Sequence, residues 1–155
     1  MKERLKFTLK AWPTIFLIAV TLSYLTELAA KHVFGIELPE QDQVEIMRRL
    51  FREGPVSLVA FNLALVVAVM PTLEEFLFRW VTRFSKALWP VSSVLFAAAH
   101  YLQAPFPDNA FLALFAFGLC QCWLYRKTGS IWCPVLNHSL FNLTNLALLL
   151  FTAFV

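Results

Sequence analysis

Five apolar blocks divide this chain, and each approaches the length of a helix that crosses a bilayer. They fall at about residues 11–30, 56–73, 88–102, 109–125 and from 131 to the end. A spanning helix needs about 20 mostly apolar residues. Hydrocarbon offers no partner to backbone N–H and C=O groups, so segments of this kind satisfy themselves as helices. The chain has 155 residues, of which 59% are hydrophobic and 15% charged. Soluble domains carry about 25% charged residues, and a fold of this size could not bury so much apolar surface. The expected class is therefore all-α: a polytopic transmembrane helix bundle with about five spanning helices.

The first block follows Lys2, Arg4, Lys6 and Lys10 and ends near Ala29-Ala30. Its length and the lack of a convincing small-x-small site favour a retained signal-anchor over a cleaved signal peptide. Lys/Arg bias sets orientation. The N-terminus, the turn with Arg83 and Lys86, and the turn with Arg126 and Lys127 read as cytoplasmic. Residues 103–108 hold no Lys or Arg and read as external, which also places the C-terminus outside. The loop at 31–55 should be external too, although it contains Lys31, Arg48, Arg49 and Arg52. Within it, VEIMRRLF has apolar residues at 44, 46, 47, 50 and 51. That stripe predicts a short amphipathic helix, either lying on the membrane interface or packed on its own protein. Gly129-Ser130 marks a tight turn into the last helix, with Pro134 in its first turn.

Net charge is only +3, and no basic stretch interleaves with aromatics, so no nucleic-acid partner is expected. Cys120, Cys122 and Cys133 all lie in apolar runs. An odd count without metal-ligand spacing reads as packing rather than a disulfide framework or zinc site.

The stretch MPTLEEFLFRW puts Glu74, Glu75 and Arg79 directly after the second apolar block. Ionisable groups at membrane depth are costly and are functional candidates by default. If the second helix continues to about residue 85 and the third starts near 88, the turn centres near 87. Glu74 lies 13 residues before that point and His100 lies 13 after it. Both then sit about 20 Å from the turn, a carboxylate and an imidazole at one depth. Glu75 and Arg79 are helical neighbours and can pair. In NHSLFN, His138 and Asn142 share a helical face, about a dozen residues past the basic turn. Glu27 falls toward the outer end of the first helix, where it can snorkel.

A carboxylate beside an imidazole can deprotonate water. A further imidazole N–H and an amide N–H₂ can stabilise an oxyanion. That set fits hydrolysis of an amide. Ser139 points away from its neighbour His138, and no G-x-S-x-G is present, so a serine nucleophile is not expected. No metal or other cofactor is expected. Zinc on Glu and two His is the weaker alternative, since H-E-x-x-H is absent.

At these residues the sequence resembles the CPBP family of intramembrane proteases, which includes the CAAX prenyl endopeptidases and bacterial bacteriocin-processing or immunity proteins. The family pattern is E-E-x-x-x-R, then F-x-x-x-H, then H-x-x-x-N. Here these are Glu74-Glu75-Phe-Leu-Phe-Arg79, Phe96-Ala-Ala-Ala-His100 and His138-Ser-Leu-Phe-Asn142, in that order. The approach Gly129-Ser-Ile-Trp-Cys-Pro134 is also similar. The likeness spans about residues 56–146 and leaves residues 1–55 as an N-terminal anchor helix and external loop. Residues 56–155 would then be the catalytic bundle.

The resemblance implies a glutamate-type endopeptidase without an obligatory metal. Glu74 would be the general base, and His100 would help to hold and activate the water. His138 and Asn142 would form the oxyanion hole, Glu75 and Arg79 would support the site, and Phe96 would pack beside it. The compact bacterial members are the nearer likeness. They imply a maturation or sorting protease of the inner membrane, acting on a membrane-embedded or C-terminal signal segment of a protein substrate. The alternative is a catalytically silent protein of the same fold that binds a partner. A proton relay is poorly supported, because the fourth block offers only Gln121.

Overall fold

In the computed structural model, residues 1–33, 35, 42–103 and 109–154 are described, and they are almost wholly helical. The helices are α1 (Lys2–Val33), α2 (Asp42–Glu53), α3 (Val56–Ala64), α4 (Met70–Arg79), α5 (Leu88–Gln103), α6 (Asn109–Thr128) and α7 (Trp132–Phe154). α3 and α4 are halves of one rod, Val56–Arg83, joined by a π-helical turn at Leu65–Val69 and closed by a 3₁₀ turn at Trp80–Arg83. The second apolar block thus carries its helix past Leu73 and through both glutamates, as the hairpin argument requires. Between α6 and α7, Gly129 adopts φ +63° and its N–H bonds the Tyr125 carbonyl at 2.8 Å. That is the left-handed stop that glycine provides at a helix C-terminus.

The amphipathic stripe predicted in the 31–55 loop is helical, as α2. It packs against α7 and leaves Ile46 exposed. Residues 36–41 of that loop, and 104–108 of the connection read as external, lie outside the described residues.

α6 is the central post: α1, α5 and α7 all pack on it. The α5–α6 seam is narrow because its residues are small. A Cβ added at Gly118 would lie 3.0 Å from both Cβ and Oγ of Ser93. One turn on, Cys122 Sγ lies 3.9 Å from Ser93 Oγ. Small residues at such spacing let helix backbones approach closely in a membrane. α1 buries Thr8, Ile15 and Ala19, which share one face. Its aromatics meet the bundle at Phe7–Trp123 and Phe16–Phe141, with ring centroids 5.6 and 5.4 Å apart. The core cluster is Ile15, Ala19, Phe96, Phe117, Leu124 and Cys133.

Lys2–Val33 and Val56–Arg83 are long and apolar enough to cross a membrane, and Leu88–His100 is a shorter apolar helix. Their outer faces are apolar and uncovered: Leu17, Leu25, Phe61, Leu73, Leu77 and Leu95 are all exposed. Contiguous exposed apolar surface beyond a few hundred Å² marks a contact with membrane or partner. On two membrane-length helices, that surface belongs to lipid.

Filling the α5–α6 seam is expected to force the helices apart. Gly118→Val should lower stability by about 1–3 kcal/mol, the usual cost of overpacking. Leu17→Ala on the lipid face should cost far less. Thermal unfolding in one detergent, run on both variants, checks the difference.

Candidate active site

Helical spacing builds the site from α4 outward. Glu75 and Arg79 are four residues apart and stack on one face, with Arg79 Nε 3.1 Å from Glu75 Oε2. Both side chains are fully buried. Arg79 Nη1 donates to Ser92 Oγ of α5 at 3.0 Å, and that hydroxyl donates in turn to the Phe78 carbonyl. The guanidinium also lies over the Phe96 ring, 4.5 Å from its centroid. Its Nη2 is buried with no hydrogen-bond partner among the described residues.

The other oxygen of Glu75 faces α7. His138 Nδ1 lies 2.9 Å from Glu75 Oε1. A carboxylate accepts, so Nδ1 carries the proton. Both oxygens of Glu75 therefore have a charged or polar donor. Glu74 differs. It is only partly buried, and His138 Nε2 stands 3.7 Å from its Oε2, too long for a direct hydrogen bond. One imidazole thus stands between the two adjacent glutamates, bonded to Glu75 and facing Glu74.

His100 is half-buried on α5. Its Nδ1 lies 2.9 Å from the Phe96 carbonyl. A carbonyl only accepts, so in the neutral ring Nε2 carries the lone pair. Phe96 is the shared wall of the site. Its centroid lies 4.7 Å from the His100 ring and 5.8 Å from the His138 ring. Phe117 closes the other side of His138 at 5.1 Å. Asn142 reaches a different partner: its Nδ2 donates to the Val66 carbonyl of the π turn at 2.9 Å.

The structure thus gathers Glu74, Glu75, Arg79, Phe96, His100 and His138 into one neighbourhood, with Asn142 one turn farther along α7. Glu27 is exposed on α1, apart from it. Among the described residues, no group of three His, Cys, Asp or Glu side chains is disposed to hold a metal ion.

Sequence reasoning missed two elements. Ser92 anchors Arg79 to α5, and the only signal was a Ser-Ser pair inside an apolar block. Gln121 Nε2 donates to Asn137 Oδ1 at 3.0 Å, fully buried, directly beside His138 in the chain. A lone Gln in one apolar helix and an Asn in the next was the readable hint.

The family model described as type II CAAX prenyl endopeptidase, Rce1-like, matches residues 56–144, more than half of the chain. The chain belongs to this Rce1-like family. The match begins with α3 and ends within α7, so it contains all three motifs. It leaves α1 and α2 outside. Searches of curated proteins and of solved structures find no match. Membership of the Rce1-like family, with the uncovered apolar helices, makes this a membrane protein of the CAAX protease type, a family that acts on protein substrates in the membrane.

The buried pair generates a stability prediction. Removing one partner of such a pair costs about 3–5 kcal/mol, because the other charge is left unpaired. Arg79→Met and Glu75→Met should each fall in that range. Glu75→Met with Arg79→Met should recover most of the loss. Unfolding of the four proteins in mild detergent, read as a double-mutant cycle, checks this.

Proposed function

We propose that the chain is an intramembrane endopeptidase of the glutamic type. It hydrolyses a peptide bond in a membrane-associated protein, with Glu74 as general base. One observation carries the choice of Glu74: both oxygens of Glu75 are occupied by Arg79 and His138, while Glu74 stays partly open beside His138 Nε2. A base must reach the water it deprotonates, and of the two carboxylates Glu74 has that access.

In the proposed reaction a water sits against Glu74 Oε2 and donates a hydrogen bond from its other O–H to His100 Nε2, keeping that hydrogen throughout. Glu74 takes one proton as the water oxygen bonds to the scissile carbonyl carbon. The carbonyl π electrons move to oxygen. His138 in its imidazolium form has two donors: Nδ1–H holds Glu75, and Nε2–H meets the oxyanion. Collapse of the tetrahedral adduct breaks the C–N bond, and Glu74 returns its proton to the leaving amine. Glu75, Arg79, Ser92 and Phe96 act as the frame that holds His138. Metal and cofactor play no part in this scheme.

The same proposal covers the setting. Five helices (α1, the α3–α4 rod, α5, α6 and α7) cross the membrane, with the N-terminus cytoplasmic. Residues 1–55 form the anchor helix and external segment, and 56–155 the catalytic bundle. The substrate is a membrane-embedded or C-terminal signal segment, and the work is maturation or sorting in a bacterial inner membrane.

Cleavage in membranes tests the assignment. Candidate substrates encoded nearby are co-expressed with wild type, Glu74→Gln or His100→Ala at matched levels. Glu74→Gln should lose about 100-fold or more of the rate, the lower range for a positioned acid–base group, with thermal stability close to wild type. Equal cleavage by wild type and Glu74→Gln would sink the mechanism.

A further inference from the structure

The π turn at Leu65–Val69 leaves one carbonyl in an unusual position. In this register the Met70 N–H bonds the Leu65 carbonyl, five residues back. The next residue would bond Val66 in the same way, but it is Pro71, which has no N–H. The helix therefore cannot supply the Val66 carbonyl with its register partner. Asn142 supplies it instead, with Nδ2 donating at 2.9 Å. A carbonyl left unpaired is costly where no water competes for it.

The turn also sets a direction. A π turn adds one residue to a helical repeat, and one residue is about 100° of rotation. Relaxing it would swing Glu74, Glu75 and Arg79 away from α7 together. Asn142 sits one turn beyond His138 on the same face of α7. Besides the Phe76–Trp132 ring contact, α7 thus holds the rod by two hydrogen bonds, to Val66 through Asn142 and to Glu75 through His138.

We propose that Asn142 is a positioning residue: it supplies the N–H that Pro71 lacks, and so fixes the rotation of α4 that turns Glu74 and Glu75 toward His138. The bond to Val66 uses one of the two Nδ2 hydrogens, so this role stands beside the oxyanion role that the motif resemblance implies. It rests on the proteolytic reading only where cleavage is the readout.

The test compares wild type, Asn142→Ala, Pro71→Ala and the double variant, all as the full chain in one detergent. Asn142→Ala should lower the melting temperature by about 2–8 °C. In the Pro71→Ala background that drop should at least halve, because an alanine N–H at position 71 can serve the Val66 carbonyl. An equal drop in both backgrounds overturns the latch. If Asn142→Ala does not accumulate, the double variant accumulating supports it, and neither accumulating overturns it.

Cleavage gives the second readout. Asn142→Ala should lose about 10- to 100-fold, as misplaced catalytic groups do, and Pro71→Ala should restore much of that loss. Restored stability with cleavage still lost would overturn positioning as the cause of the lost rate, and would mean that Asn142 acts on the substrate directly. A wild type that cleaves nothing bears on the protease reading alone, and the melting cycle still decides the latch.

Discussion

The candidate site is arranged around one buried ion pair. Glu75 and Arg79 sit four residues apart at full burial, where each alone would be severely destabilising. Their mutual contact uses one carboxylate oxygen and one guanidinium nitrogen. Of the valences left over, Nη2 has no hydrogen-bond partner among the described residues, and two are met by other helices. Ser92 meets one from α5 and His138 meets another from α7. The pair therefore does more than neutralise itself: it selects which helices come together and at what height. A purely apolar α4 would pack through the same surfaces but would fix neither register.

Phe96 shows how the apolar side of the site answers that demand. A single fully buried ring lies beneath the guanidinium and beside both imidazoles. Its negative face suits the cation, and its edges suit ring-to-ring contact. The carbonyl of the same residue accepts a hydrogen bond from His100 Nδ1–H. One residue thus supports a cation by its ring and sets a tautomer by its backbone. Its place in F-x-x-x-H follows from helix geometry, since a carbonyl at i reaches a ring at i+4.

Much of this was legible in the sequence. The apolar blocks gave the helices, and the connection between Arg83 and Leu88 falls where the counting put the turn. The i,i+4 spacing gave the Glu75–Arg79 pair, because that contact depends on one helix only. What escaped was everything requiring two helices at known rotation. The Ser92 anchor, the Gln121–Asn137 pair and the Gly118–Ser93 approach all cross a seam. The π turn escaped for another reason. Pro71 was visible, but an inserted residue has no signature in hydrophobic periodicity when the segment is apolar all round. The number of spans is a milder case: two helices meet length and hydropathy on their own, while α5 is shorter.

Adjacent glutamates look redundant on paper, and helix geometry makes them opposites. Neighbouring side chains diverge by about 100° around the axis. One of the two turns into the bundle while the other stays partly open, and the inward one needs a cation within reach. Arg79 meets that requirement at the right spacing, and the outward residue is then left with an imidazole held at a fixed distance by its neighbour. A preorganised polar group needs no reorganisation when charge develops. Holding His138 through Glu75, rather than through Glu74, gives that rigidity without occupying the open carboxylate. The E-E-x-x-x-R pattern is thus the shortest way for one helix to present an open carboxylate and the buried frame that aims an imidazole at it.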